Sequence, residues 1–418
     1  MTSADTPPSA LKPPSSMISV EEARTRILAP LVPVGTETVA LGEAWGRVLA
    51  REVVARLDNP PADVSAMDGY AVRSADTRAG TALRLIGSAP AGHPFGGEVG
   101  RGECVRIFTG AVVPNGADSI LIQEDATREG EAVIASCEAP TGRHIRRRGQ
   151  DFDRASVLLA PGRRLGARDI GVAAAANHPF LTVRRRPRIA LLATGDEIAL
   201  PGEPIGPGGI VSSNSLMLAA LIRAAGGEPV LLPLATDDND AIGATARAAA
   251  GMDMLLTIGG ASVGEHDLVR TALAAEGLTL DFWKIAMRPG KPLMHGRLGS
   301  GQPVLGLPGN PVSAMVCSVL FLLPALARLS GTGDEGPTPV EAVLEEGVGA
   351  NDHRADHLRA RLSVGRDGTL LVRAFPRQDS AMLRRLAEAE ALILRPPGAA
   401  ALPAGATVQI LRLDGYGL

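Results

Sequence analysis

Carboxylates, amides and cations recur in this sequence among chain-turning residues. Thr194-Gly195-Asp196-Glu197 places two acids just past an apolar run at 188–193. Such a pair can hold a hydrated divalent cation or orient oxyanions, and a polar turn is the plainer alternative. Ser212-Ser213-Asn214 offers hydroxyls and helix-start N–H groups to an anion, or a simple cap. In Asp237-Asp238 one acid can cap a helix while the other is left over. The segment Gly259-Gly260-Ala261-Ser262-Val263-Gly264-Glu265-His266-Asp267 carries three glycines within six positions. That spacing lets the backbone approach a phosphate with its N–H groups turned inward, and Asp267 adds a carboxylate. No Gly-Lys-Ser/Thr follows, and GxGxxG is absent, so neither nucleotide-binding fingerprint applies. Between Trp283 and Pro292, Lys284, Arg288 and Lys291 crowd one strand and its exit, which Pro289 and Pro292 flank around Gly290. A solvated basic turn is the alternative there. In Leu307-Pro308-Gly309-Asn310-Pro311-Val312-Ser313, Asn310 takes a cap position and Pro311 the first helical one, which leaves free N–H groups on the same edge. Together these loops predict a cationic, amide-rich pocket with carboxylates beside it, suited to a phosphorylated or adenylylated ligand with Mg²⁺.

Two further motifs lie upstream. Met67-Asp68-Gly69-Tyr70 reads as an unusual acidic turn, and Arg146-Arg147-Arg148-Gly149-Gln150-Asp151 as a solvated basic run ending in an acid. His353 and His357 are spaced i, i+4 without a third ligand and read as surface histidines. No Ser-His-Asp or Cys-His signature is present.

The elements that must carry these loops alternate. From residue 186 the order is strand (188–193), helix from Ser213 or Asn214 to 225, strand (229–234), helix from Asp237 or Asp238 to 250, and strand (252–258). A helix (267–275), strands at 280–287 and 303–307, and a long helix from Pro311 to 329 follow. Such alternation predicts a mainly parallel sheet covered on both faces, with ligands at the strands' C-terminal ends. Upstream, short β-like runs at 83–86, 105–108, 119–123 and 132–136 predict a small β domain over 56–148. A helix over 18–28, a second between 41 and 51, and residues 149–185, helical over 165–176, predict a discontinuous helical/linker domain of 17–55 with 149–185. Residues 1–16 read as a disordered tail, 186–331 as the α/β domain, and 332–418 as a C-terminal β domain with one helix over 380–390. The fold class is therefore multidomain α/β plus β, with a central doubly wound α/β domain.

Composition narrows the classes. The chain has 418 residues, 45% of them apolar and 3% aromatic, so its cores are aliphatic. Its net charge of −3 argues against a nucleic-acid partner. Three scattered cysteines cannot make a disulfide framework and point to a reducing, cytoplasmic setting. No N-terminal apolar signal is present, and the apolar run at 312–327, interrupted by Pro324, reads as a buried helix rather than a membrane span.

Several of these motifs, in this order, resemble one family. MDGYAV at 67–72, FTGA at 108–111, PNGAD at 114–118, RRRGQDF at 146–152, LLATGDEI at 191–198, TIGGASVGEHD at 257–267, WKIAMRPGKP at 283–292 and LPGNPVS at 307–313 resemble the molybdopterin molybdenumtransferases, which include MoeA and the E domain of gephyrin. The resemblance implies a Mg²⁺-assisted enzyme that inserts molybdate into adenylylated molybdopterin and releases AMP. It implies an elongated homodimer of four-domain subunits whose α/β domain binds molybdopterin and works with domains of the partner. It also brings in a molybdopterin adenylyltransferase and downstream molybdoenzyme chaperones as partners.

By position, the resemblance assigns Asp68, Asp151, Glu197, Asp237, Asp267 and Lys284 to catalysis, with Glu197, Asp237 and Asp267 on the metal. It assigns ligand binding to Thr109, Thr194, Gly195, Ser213, Asn214, Gly259, Gly260, Ser262 and Gly264. Ligand binding also falls to Arg288, Pro289, Gly290, Lys291, Pro308, Gly309, Asn310, Ser313, Arg359 and Ser380. The family often has Lys at the position of Arg288, which keeps the charge. The competing readings are a molybdopterin adenylyltransferase, which is little more than the α/β domain, and a non-catalytic cofactor-binding scaffold.

Overall fold

The computed structural model describes residues 17–259, 268–332, 336 and 338–414. The expected tail at 1–16, and Gly260, Ser262, Gly264 and Asp267, lie outside the described residues. The chain divides into two compact units, one holding residues up to 37, 46–50 and 184 onward, the other 38–45 and 51–183.

The first unit is built on a six-stranded sheet. Its strands are β1 (Arg188–Ala193), β2 (Glu228–Leu231), β3 (Met254–Ile258), β4 (Thr279–Lys284), β5 (Pro292–Arg297) and β6 (Pro303–Leu307). Their spatial order is β2-β1-β3-β6-β5-β4. β2, β1, β3 and β6 are mutually parallel, while β5 runs antiparallel to both its neighbours. The expected single strand at 280–287 is β4 followed by a separate short strand, Met287–Arg288. Both faces are buried, which is why β1 reads as an unbroken apolar run. Ile189, Leu191 and Ala193 face one core, and Ala190 and Leu192 the other.

Helix α1 (Val20–Leu28) is capped by Ser19, whose hydroxyl accepts from the N–H of Glu22. Its buried Ala23 and Ile27 belong to the same core as Leu191 and Phe321. The helix thus packs with the α/β sheet, not with residues 149–185 as its sequence neighbourhood implied. α2 (Asn214–Ala224) joins that core through Leu218, Leu221 and Ile222. α3 (Asn239–Arg247) and α4 (Leu268–Ala275) cover the opposite face through Ile242, Val269 and Leu273.

The long helix begins as α5 (Pro311–Cys317), widens into a π turn at Ser318–Leu322 and ends as α6 (Leu323–Ser330). Pro324 has no N–H for the carbonyl four residues back, and a widened turn just before it absorbs that misfit. This helix is long and apolar enough to cross a membrane, yet 83% of it is buried inside the protein.

The C-terminal strands Val340–Leu344, Ala355–Val364, Leu370–Ala374, Ala391–Arg395 and Thr407–Arg412 form a sheet that closes on itself where Ala391–Arg395 pairs with Ala355–Val364. Met287–Arg288 joins it as a parallel strand, with Arg288 opposite Asp356. The expected helix over 380–390 shrinks to Leu383–Ala387.

The second unit carries its own six-stranded sheet: Ser119–Ile122, Gly69–Val72, Glu103–Ile107, Ala82–Ala89, Ala132–Ala135 and Ala126–Glu129 in spatial order. It contains all four runs expected to be β. Val53–Val54 pairs with Val157–Leu159, and helix Ala167–Ala175 begins where Asp169 accepts from the N–H of Gly166. The helix expected between 41 and 51 is a single tight turn, Leu41–Glu43. Gly42 weakens it, and Gly46, with φ of 74°, turns the chain away.

His357 is not on the surface. It lies on a strand rather than a helix and is 5% exposed, whereas His353 is exposed. Its ring donates to the main chain of Arg288, and burial pushes its pKa down to about 4. Between pH 6.5 and 4 the unfolded chain therefore binds a proton that the folded chain refuses. Stability should rise with pH across that window and be lost as pH falls, by as much as about 3 kcal/mol from this group. Urea midpoints of wild type and His357→Gln at pH 7.5 and 4.5 check this: the variant should lose markedly less stability on acidification, and equal losses would show His357 contributes nothing.

Candidate functional site

A cleft of about 610 Å³ opens where β1 and β3 end. The chain leaves β1 toward β2 on one side, then returns to β3 on the other, so no crossover covers the space between their exits. Thr194, Gly195 and Glu197 line it from β1, Gly259 from β3, and Pro308, Gly309 and Asn310 from β6. Asp237 enters from the loop after β2, and Ser212, Ser213 and Asn214 from the start of α2. Ile198, Ile210 and Val211 add an apolar wall, formed where Ile198–Ala199 pairs with Ile210–Val211. Sequence reasoning missed that wall, because 200–209 is rich in Gly and Pro and carries no strand signal.

The paired aspartates divide their work. Asp238 caps α3, accepting from the N–H of Ala241 at 2.9 Å. Asp237 keeps its side chain for the cleft, and its own N–H donates to Asp196 at 3.0 Å. Glu197 and Asp237 are both exposed carboxylates lining the cleft. Among the described residues no three His, Cys, Asp or Glu side chains gather around a common point. Mg²⁺ commonly takes one or two carboxylates and fills its shell with water and substrate phosphate oxygens, so this pair fits it.

The expected cationic lining is not there. Among the described residues the cleft is lined by no lysine or arginine. Of the basic segment only Pro292 reaches it, while Lys284, paired in register with Pro292, rests its ammonium 4.5 Å from the centre of the Trp283 ring. Lys291 is half-buried and its carbonyl accepts from the N–H of Ile285. Arg288 is engaged by the C-terminal domain: its Nε donates to Asp356 at 2.9 Å, and Asp352 stands 3.8 Å from another of its nitrogens. Asp356 gives no signal in the sequence, since only strand pairing brings it opposite Arg288. Pro289 and Gly290 also lie outside the cleft lining. Gly290 is buried with φ of 107°, and a Cβ there would stand 2.5 Å from Cys317 Sγ.

The start of α5 is less open than its sequence implied. Asn310 holds the N-cap position as expected, but its side chain makes no capping bond, and its amide donates to Ser380 Oγ at 3.1 Å instead. The N–H of Val312 is taken by the Ser380 carbonyl at 3.1 Å. Ser313 is buried in the first turn and does not line the cleft. Asn214 donates to the Gly309 carbonyl at 2.6 Å, which fastens the opposite side of this loop. Arg359 cannot touch a ligand in the cleft: it is 1% exposed, with its guanidinium turned onto main-chain carbonyls.

In the second unit, Asp68 Oδ1 accepts from both the N–H and the hydroxyl of Thr109, at 2.7 and 2.9 Å. These bonds hold its carboxyl below the usual carboxylate range. Arg106 lies over the rings of Tyr70 and Phe108 next to this pair. Asp151 accepts from Asn59 at 3.0 Å at the edge of a hollow of about 380 Å³ that Arg146 and Gln150 also line. The arginine run is exposed, as expected, and it is also paired: Arg147 with Asp63 and Arg148 with Asp58.

An open α/β sheet with a crevice between two strand exits, joined to a closed C-terminal β sheet and preceded by a β unit, is the multidomain arrangement of MoeA-type molybdopterin-biosynthesis proteins, as the matches to known proteins show. Family models match in series: MoeA N-terminal region (domain I and II) at 18–177, probable molybdopterin binding domain at 190–328, and MoeA C-terminal region (domain IV) at 341–413. The chain is 34% identical to a molybdopterin molybdenumtransferase of Nostoc, covering 97% of this chain and 96% of that one. It is 36% identical to molybdopterin molybdenumtransferase 2 of Mycobacterium tuberculosis, over 94% and 99% of the two chains. A crystal structure of the MoeA protein from Pyrococcus horikoshii superposes with a TM-score of 0.81 at 28% identity, covering 95% of this chain and 100% of that one. The chain belongs to the molybdopterin molybdenumtransferase family.

The two adjacent aspartates should separate experimentally. Asp238→Ala removes a helix cap and should cost about 0.5–2 kcal/mol of stability. Asp237→Ala should leave the urea midpoint near wild type, since it removes a carboxylate that holds nothing together. Denaturation curves of both variants check this, and a larger loss for Asp237→Ala would make it the structural residue.

Proposed function

We propose that this chain transfers molybdenum from molybdate into adenylylated molybdopterin and releases AMP. It does so as a cytoplasmic homodimer that receives its substrate from an adenylyltransferase and passes its product to downstream chaperones. The observation that carries the reading is one cleft with two free carboxylates among amides and hydroxyls, in a chain of this family. Hydroxyl and amide groups of Ser212, Ser213 and Asn214 suit the polar edges of a pterin or an adenylate. Glu197 and Asp237 would hold Mg²⁺, which when bound offsets the charge that develops on a phosphate oxygen.

The charge balance supports a shared site. An anionic ligand cannot settle beside two carboxylates without positive charge from elsewhere. The described lining supplies none, which supports a bound cation together with a second, basic surface. Arg146 and Gln150 beside Asp151 in the other unit are the kind of surface that would serve, brought by the partner subunit. The three free cysteines fit a reducing compartment.

The test is direct. Purified protein with adenylylated molybdopterin, molybdate and Mg²⁺ should yield active cofactor and AMP. Glu197→Ala and Asp237→Ala should each lower the rate about 10- to 150-fold, the loss of one charge-assisted interaction. Consumption of ATP with unmodified molybdopterin would instead make the protein an adenylyltransferase, and binding without turnover would make it a scaffold.

The shared site has its own test. Asp68→Ala and Glu197→Ala subunits, each strongly impaired alone, should regain activity when mixed under exchange conditions, because some heterodimers hold one intact site. If exchanged mixtures stay as impaired as the separate variants, each site is built from a single chain.

A further inference from the structure

We infer that Arg359 is a positioning residue which, through segment 377–382, sets the start of α5 and with it one wall of the cleft. Arg359 is the largest fully buried side chain among the described residues, at 1% exposure. Its guanidinium donates to the carbonyls of Asp379 at 2.9 Å, Met382 at 3.3 Å and Arg377 at 3.5 Å. Gln378 completes the fastening. It accepts from the N–H of Arg359 at 3.0 Å and donates back to the Arg359 and Phe375 carbonyls at 3.0 and 2.9 Å. Burying an always-charged group is costly, and its return here is to satisfy a row of main-chain carbonyls. One rigid fork thereby fixes a segment that has no regular structure before Leu383.

What that segment holds is the cleft. Ser380 receives both the N–H of Val312 and the amide of Asn310. Asn214 holds the Gly309 carbonyl from the opposite side. The cleft residues Gly309 and Asn310 are therefore stretched between a clamp on α2 and a clamp on the C-terminal domain. Arg359 fixes the second clamp without reaching the ligand.

The kinetic part of the test rests on the function proposed above, and the structural part does not. Amide hydrogen exchange would be followed at 309–313 and 377–382 in the ligand-free, full-length protein. Arg359→Met should speed exchange in both segments by at least about 10-fold, and Arg359→Lys should recover part of the protection. Faster exchange at 377–382 with 309–313 unchanged would overturn the inference, as would no change in either. Should Arg359→Met fail to fold, Ser380→Ala decides. It removes only the Asn310 bond, should keep the wild-type urea midpoint, and should speed exchange at 309–313 about 2- to 10-fold. Unchanged exchange there would sink the idea.

With adenylylated molybdopterin, Ser380→Ala and Arg359→Lys should raise KM more than they lower kcat. A fall in kcat alone, with wild-type exchange, would make Arg359 a group that meets the substrate. If wild type inserts no molybdenum, the proposed function fails while the exchange result still stands.

Discussion

The parallel pairing of β1 with both β2 and β3 is the constraint on which the rest depends. Because β1 is flanked on both sides and covered on both faces, its neighbours must be reached by crossovers that leave in opposite directions. The gap between the exits of β1 and β3 is the result, and every loop that ends near it inherits access to one cleft. Thr194, Gly195, Gly259 and Gly309 line that cleft because of where their strands end.

Charge is the second constraint. The described walls of the cleft carry acids, amides and hydroxyls, and the cations of the neighbouring hairpin are spent elsewhere. Arg288 is drawn away by Asp356, and Lys284 lies against the Trp283 ring. A wall of this polarity favours a cation over an anion that arrives alone. The β unit offers the opposite case: Asp68 is held ionised by Thr109, and the arginines near Asp151 are exposed.

The C-terminal domain is more than an appendage to the α/β domain. It takes Met287–Arg288 into its own sheet and offers Ser380 to the start of α5. Buried His357 and buried Arg359 lie two residues apart on the same strand, one holding the Arg288 main chain and the other the 377–382 segment. The second segment bonds Asn310 in the cleft wall, so the polar core of this domain bears on the geometry of the cleft from behind.

Much of this was legible in the residues themselves. The period of the apolar positions, the glycine stops and the caps at Ser19 and Asp238 are local properties, and local physics decided them: the α/β order and the four β runs upstream follow directly. The ordered motifs carried the family. What local physics could not decide was which charge meets which. Arg288 reads as a ligand for anions until strand register puts Asp356 opposite it. His357 reads as a surface group, and Arg359 as one that meets a ligand, until a closed sheet buries both. Asn310 reads as a cap until Ser380, seventy positions away, takes its amide. Pairings across such separations depend on which elements come to lie side by side, and only tertiary packing settles that.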